Sequence, residues 1–308
     1  MDSELMASFK HYLQAARLRT LPLSVSGIIV GSALASPIFY KMPIFWLAIL
    51  TTIGFQVLSN FANDYGDGIK GTDDNRVGEK RLVASGVITP KQMKKAMIIT
   101  AIATFIIALA LIYVAFGADN FLQSITFLVL GITSIVAAVK YTVGNNAYGY
   151  SGLGDVFVFL FFGLLSTVGS YYLYTHSLDN WKVFLPAAAI GLLSAAVLNL
   201  NNMRDQIEDK KANKNTLVVK LGSQWAKLYH FGLINVALML LIWFTNLNGS
   251  TTPFKWLFSI AFIPLFHNLR VVGGNILFRE LDTELKKVAL STFLCAVLLA
   301  VGFLFGFF

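Results

Sequence analysis

The sequence predicts an all-α integral membrane protein of nine transmembrane helices, with two Asp-rich loops on its cytoplasmic side. Three observations carry this. Of 308 residues, 56% are hydrophobic and only 13% charged, against roughly a quarter charged in soluble domains. Apolar stretches free of Asp, Glu, Lys and Arg recur along the chain, and basic residues fall almost wholly in alternate connections. So large an apolar excess cannot be hidden in one soluble core, which makes lipid the natural solvent.

Residues 1–20 mix Lys10, Arg17 and Arg19 with Phe9, Tyr12 and Leu13, and lack an apolar run with a small-residue cleavage site. They predict an amphipathic arm at the membrane surface, not a cleaved signal. Charge-free spans follow at 20–40, 42–63, 96–118, 120–139, 156–178, 183–203, 228–254 and 288–308. Each approaches the roughly 20 residues that cross a hydrocarbon core. A further span, 252–275, is the weakest, because Lys255 and Arg270 must snorkel or face protein. With the N-terminus in the cytoplasm, 21 Lys and Arg lie inside and only Lys41, Lys182 and Lys255 outside. The positive-inside rule sets the orientation on that asymmetry. The net charge of +8 is then a topology signal, and a nucleic-acid partner is excluded.

Residues 1–308 read as one transmembrane domain, with acidic loops at 63–95 and 201–227. Cys295 is the one cysteine, which excludes an internal disulfide, and His11, His176, His230 and His267 show no ligand spacing. Gly27, Gly31 and Ala35 at helical spacing predict close helix packing. Gly152 and Gly154 complete no dinucleotide fingerprint and predict a turn entering the fifth span.

Eight of the 16 acidic residues sit in the two loops. The first begins Asn63-Asp64-Tyr65-Gly66-Asp67 and continues to Asp73 and Asp74; the second begins Asn201-Asn202-Met203-Arg204-Asp205 and continues to Glu208 and Asp209. Both read Asn-[Asp/Asn]-x-x-Asp at the end of a span, four spans apart, which suggests two related halves. Asn63 and Asp67 are one helical turn apart, as are Asn201, Asp205 and Asp209, so each set shares a face. Gly66, Gly68 and Gly71 disfavour a continuing helix, so Asp73 is expected to return from a loop. Carboxylates crowded at a membrane boundary repel one another, and a divalent cation relieves this. Mg²⁺ takes one or two carboxylates plus substrate phosphates. With Lys70, Arg76 and Lys80 nearby, the pattern points to a diphosphate clamp. The bland alternative is a pair of solvated loops. A cation transporter would instead place its acids near the bilayer midplane.

These motifs resemble those of the UbiA superfamily of intramembrane prenyltransferases, and in particular its quinone branch, the MenA type that acts on 1,4-dihydroxy-2-naphthoate. The likeness runs through 17–23, 63–73, 141–144, 150–155 and 201–222. The 4-hydroxybenzoate branch has its third first-motif aspartate four residues after the second; here that position is Gly71 and the acid is Asp73. The resemblance implies a UbiA-like bundle in a bacterial inner membrane. It implies Mg²⁺-dependent transfer from a prenyl diphosphate to an aromatic acceptor, with loss of pyrophosphate and CO₂, in menaquinone synthesis. The alternative acceptor is 4-hydroxybenzoate. Asn63, Asp64, Asp67, Asp73, Asn201, Asp205 and Asp209 would hold two Mg²⁺. Lys70, Arg76, Lys80, Asn63 and Asn201 would hold the diphosphate. Tyr141 would stand near the reacting carbon, or serve as an interfacial anchor. Arg17 would meet the acceptor carboxylate, or anchor the arm to anionic lipid. Asp155 falls near the site without a role. No obligate protein partner is expected.

Overall fold

A computed structural model describes residues 8–70, 81–144, 147–249 and 252–306. Among these residues every regular element is helical. The elements are α1 (Phe9–Ala16), α2 (Leu21–Ala35), α3 (Pro43–Lys70), α4 (Pro90–Phe116), α5 (Phe121–Lys140), α6 (Gly154–Val158) and α7 (Ser166–Thr175), followed by α8 (Phe184–Lys211), α9 (Leu217–Leu221), α10 (Ser223–Leu247), α11 (Phe262–Gly274) and α12 (Leu281–Gly306). Nine segments among them are long and apolar enough to cross a membrane, as the sequence predicts.

Helix ends follow local chemistry. α2 stops where Ser36 turns extended (φ −153°, ψ 132°), because the residue before Pro37 is barred from the helical region. α4 opens on a capping box in which the Thr89 side chain accepts from Gln92 N–H. The turn before α6 uses Gly152 at φ +81°. α1 lies within residues 1–20, of which 1–7 are outside the described residues, and ends with Arg17 in the left-handed region at φ 50°. It packs on α3, where Asn60 Nδ2 donates to the Ala16 carbonyl at 2.8 Å.

Two expectations need correcting. α3 does not stop at 63 but runs to Lys70, and α8 runs unbroken through Asn201 to Lys211, so residues 63–67 and 201–209 lie on helix ends, while Gly71, Asp73 and Asp74 lie outside the described residues. Gly66 and Gly68 do not break α3, because their role is close approach. A Cβ on Gly66 would meet the Thr142 carbonyl at 2.8 Å, and one on Gly68 would meet Val83 Cγ1 at 2.7 Å.

α8 is the central strut. Ala187, Ile190, Leu193, Leu200 and Met203 on it are fully buried, and small residues let neighbours come close. A Cβ on Gly191 would lie 3.2 Å from the Cα of Gly163, which lies in a π-helical stretch, Phe159–Leu165, between α6 and α7. Gly27 and Gly31 of α2 do press on a neighbour, Ser166 and Thr167 of α7. The weakest span is also the least regular: Pro253–Ala261 is 3₁₀ before α11 begins. α4 and α5 carry exposed apolar side chains such as Ile99, Ile102, Ile106, Phe121 and Leu122, a surface suited to lipid.

Candidate active site

Residues at the ends of α3 and α8 line one cavity of about 370 Å³. Asn63, Asp67, Arg81, Asn201, Lys214 and Arg17 are among its polar lining residues, and Leu111, Phe127, Phe161, Leu165 and Leu173 are among the apolar residues lining the rest. One hollow thus has a polar end and an oily remainder.

Asp67 is buried and held from two sides. Tyr150 Oη donates to its Oδ1 at 2.7 Å, and Arg81 Nη2 to its Oδ2 at 3.1 Å. Tyr150 also carries Lys70 Nζ 4.1 Å and Lys214 Nζ 5.4 Å from its ring centre, so it gathers cations of both motifs. Lys70 donates to the Thr142 carbonyl at 2.8 Å. The backbone completes the link, since Asn215 N–H donates to the Tyr150 carbonyl at 3.0 Å.

Asp64 behaves differently from its predicted role. Its two oxygens accept backbone N–H bonds from Leu82 (3.1 Å) and Val83 (2.9 Å), and it does not line the cavity. It anchors the chain that follows the acidic segment. In the second motif, Arg204 forks onto both oxygens of Asp205 at 2.7 and 2.8 Å and reaches Asn201 Oδ1 at 2.8 Å. Asp209 faces Lys214 Nζ at 3.7 Å. Asp73, Arg76 and Lys80 lie outside the described residues.

Tyr141 lines the cavity where the polar end meets the apolar wall. Tyr148 packs edge-on against it at 5.3 Å and stacks on Phe157 at 4.0 Å. Burial, and then the Asp155 carboxylate, push the Tyr141 phenol well above its ordinary range; burial does the same to Tyr148. Both rings are therefore neutral at physiological pH. Asp155 is buried at the head of α6, within electrostatic reach of Tyr141. Arg17 lines the cavity, brought there by its left-handed backbone.

The donors present fit Mg²⁺. They are hard oxygens of Asn63, Asp67 and Asn201, which line the cavity from the ends of α3 and α8, whereas Asp205, Asp209 and Lys70 do not line it. Among the described residues no three carboxylates or imidazoles gather into one cage. That suits a cation that completes its shell with substrate phosphates and water.

Arg81, Tyr148, Tyr150, Arg204 and Asp282 were not assigned from the sequence. Arg204 could have been found, as an arginine within a predicted ligand face. Asp282 could not, because its link to Arg204 spans 78 residues.

Such a bundle, with its cavity running from an ionic end into an apolar interior, defines a membrane-embedded enzyme class built for amphiphilic substrates. The chain belongs to the UbiA prenyltransferase family, whose model matches residues 24–275, and it is a multi-pass membrane enzyme of the prenyl-transferring kind. It is 42% identical to a 1,4-dihydroxy-2-naphthoate octaprenyltransferase of Escherichia coli, covering 100% of this chain and 98% of that one. It is 41% identical to the protein of the same name from Haemophilus influenzae, covering 96% of each. In fold it is similar to a UbiA homolog from Archaeoglobus fulgidus whose structure holds GPP and Mg²⁺, with a TM-score of 0.66, 14% identity, and 94% and 99% of the two chains covered.

Proposed function

We propose that this chain transfers a polyprenyl group from a prenyl diphosphate to 1,4-dihydroxy-2-naphthoate, releasing pyrophosphate and CO₂, in menaquinone synthesis. The observation that supports this most is the two-ended cavity: oxygen ligands and cations at one end, a continuous apolar hollow behind. The naphthoate assignment is supported by the names of the full-length relatives.

In this reading Asn63, Asp67, Asp73, Asn201, Asp205 and Asp209 would hold two Mg²⁺ and, with them, the diphosphate head group. Bound Mg²⁺ would supply positive charge to the departing diphosphate oxygens. Lys70, Arg81 and Lys214, with Arg76 and Lys80, balance the remaining negative charge. The allylic C–O bond breaks with its electron pair going to pyrophosphate. Neutral Tyr141 and the faces of Tyr148, Phe157 and Phe161 border the allylic carbon, favouring a developing cation and excluding water. The electron-rich acceptor ring forms the new carbon–carbon bond and gives up its carboxyl as CO₂. Arg17 takes the acceptor carboxylate before that loss. The polar end faces the cytoplasm of a bacterial inner membrane, and the prenyl tail lies in the apolar hollow.

Mass spectrometry of products tests this, using purified protein in lipid nanodiscs with a series of prenyl diphosphates. A prenylated, decarboxylated naphthoquinol is expected. Faster turnover of 4-hydroxybenzoate would move the acceptor assignment and leave prenyl transfer standing.

A further inference from the structure

Gln56 stands on α3 seven residues before Asn63, about two turns or 10 Å back along the helix, and lines the same cavity. A short chain of hydrogen bonds holds its amide in one orientation. The Thr20 hydroxyl donates to the Arg17 carbonyl at 2.9 Å, so the hydroxyl oxygen is left to accept. Gln56 Nε2 donates to that oxygen at 3.0 Å. Asn60 Nδ2 donates to it at 3.2 Å and to the Ala16 carbonyl at 2.8 Å. Asn60 Oδ1 in turn accepts from the same Gln56 nitrogen at 3.5 Å.

Two backbone carbonyls, which can only accept, thus set every donor and acceptor in this chain. Turning the Gln56 amide over would put its oxygen against the Thr20 and Asn60 oxygens. Gln56 Oε1 is therefore the open end of the side chain, and among the described residues it accepts no hydrogen bond. A carbonyl left open in a largely apolar hollow costs free energy unless something donates to it. A prenyl tail has no N–H or O–H, and an ionised diphosphate offers only acceptor oxygens. An aromatic acceptor with ring hydroxyls does have the donor.

We propose that Gln56 is a specificity-determining residue, whose side-chain carbonyl accepts a hydrogen bond from a ring hydroxyl of the aromatic acceptor. The inference deepens the reading of the acceptor as a hydroxylated naphthoate and rests on it. Thr20 is the positioning residue that keeps the Gln56 oxygen presented. Because Thr20 is itself bonded to the Arg17 carbonyl, one local structure sets both the hydroxyl contact and the turn that brings Arg17 to the cavity.

Equilibrium binding to the full-length protein in nanodiscs tests this, with Mg²⁺ and a non-reacting prenyl thiolodiphosphate present so that nothing turns over. The probes are 1-hydroxy-2-naphthoate, 4-hydroxy-2-naphthoate and 2-naphthoate. The unaltered protein should bind at least one hydroxynaphthoate roughly five- to a hundredfold more tightly than 2-naphthoate, the range for a hydrogen bond whose loss leaves a buried group unmet. Gln56→Met keeps the volume and removes the carbonyl, and should bring the two affinities to within about twofold. Thr20→Val keeps Gln56 but lets its amide turn over, and should lose part of the preference. Bound thiolodiphosphate counts the folded molecules in each variant. A merely structural role for Gln56 would weaken all three naphthoates alike and leave their ratios untouched. Equal affinity of the unaltered protein for all three, or a preference kept in full by either variant, overturns the proposal and leaves the acceptor reading standing. If the unaltered protein binds none of the naphthoates, the acceptor reading beneath it fails.

Discussion

Asp64 and Asp67 stand three residues apart on α3 and separate into two jobs. Asp64 holds the chain at Leu82 and Val83, whereas Asp67 looks into the cavity between Tyr150 and Arg81. Mutation should separate them. Asp64→Ala leaves two buried N–H groups without their acceptor, so it should cost about 1–3 kcal/mol of stability. Its activity per folded molecule should persist. Asp67→Ala or Asp205→Ala takes a partner from a buried arginine, Arg81 or Arg204, and so also costs stability, but per folded molecule each should lower kcat/KM by roughly 10³-fold or more, the scale of a lost charge clamp at a leaving group. Thermal unfolding beside product formation separates these outcomes, and near-normal turnover of Asp67→Ala at saturating Mg²⁺ would refute its role. Tyr141 gives a pH prediction. Its phenol is raised in the fold above its unfolded value of about 10. Below that pH both states keep the proton and stability is unaffected. Above it the unfolded chain ionises first, so stability falls as pH rises, and Tyr141→Phe should show a shallower alkaline loss in a pH series of unfolding midpoints.

Among the elements, the apolar hollow makes its own demands. Gly131 on α5 lines the cavity, and a Cβ there meets nothing within 4 Å. Gly131→Phe should therefore fold, fill part of the hollow, and reduce turnover of long prenyl diphosphates well beyond that of short ones. Equal effects at every chain length would place the tail elsewhere. Gly163 is the opposite case, since a Cβ there would fall 2.5 Å from the Gly191 Cα. Gly163→Val should destabilise the bundle by about 1–3 kcal/mol, read as a lowered unfolding midpoint. This contrast marks the limit of what the sequence told. Eight of the nine spans were legible because charge-free length is a strong signal, and the ninth, with Lys255 and Arg270, was the weakest. Asn63 and Asp67, like Asn201 and Asp205, were legible as sharing a face through helical spacing, and Arg17 only through the family resemblance; of these, Asn63, Asp67, Asn201 and Arg17 line the cavity. The continuation of α3 past Gly66 was not, because glycine propensity argues for a break while the packing of Thr142 and Val83 argues for a bare helix face. The π-helical stretch at Phe159–Leu165 left no mark in residue type at all.

At the scale of the molecule, the 21-to-3 distribution of basic residues predicts an N-terminus and polar cavity end inside and a C-terminus outside. A reporter fused after Phe308 should register the external compartment; a cytoplasmic reading would remove the odd number of spans. The bridge from Arg204 to Asp282 was beyond sequence reasoning for a related reason, since contacts across a bundle depend on how spans are arranged and not on their order.

A cavity whose two ends differ so sharply also sorts what leaves it. In the proposed reaction pyrophosphate would be soluble only in water, while the prenylated ring, without its carboxylate, would be soluble only in lipid. Pyrophosphate and the prenylated ring would then depart into different phases and could not readily recombine. Inhibition by the lipid product should then follow its mole fraction in the bilayer, so adding empty vesicles at constant enzyme dilutes it even though the aqueous volume is unchanged.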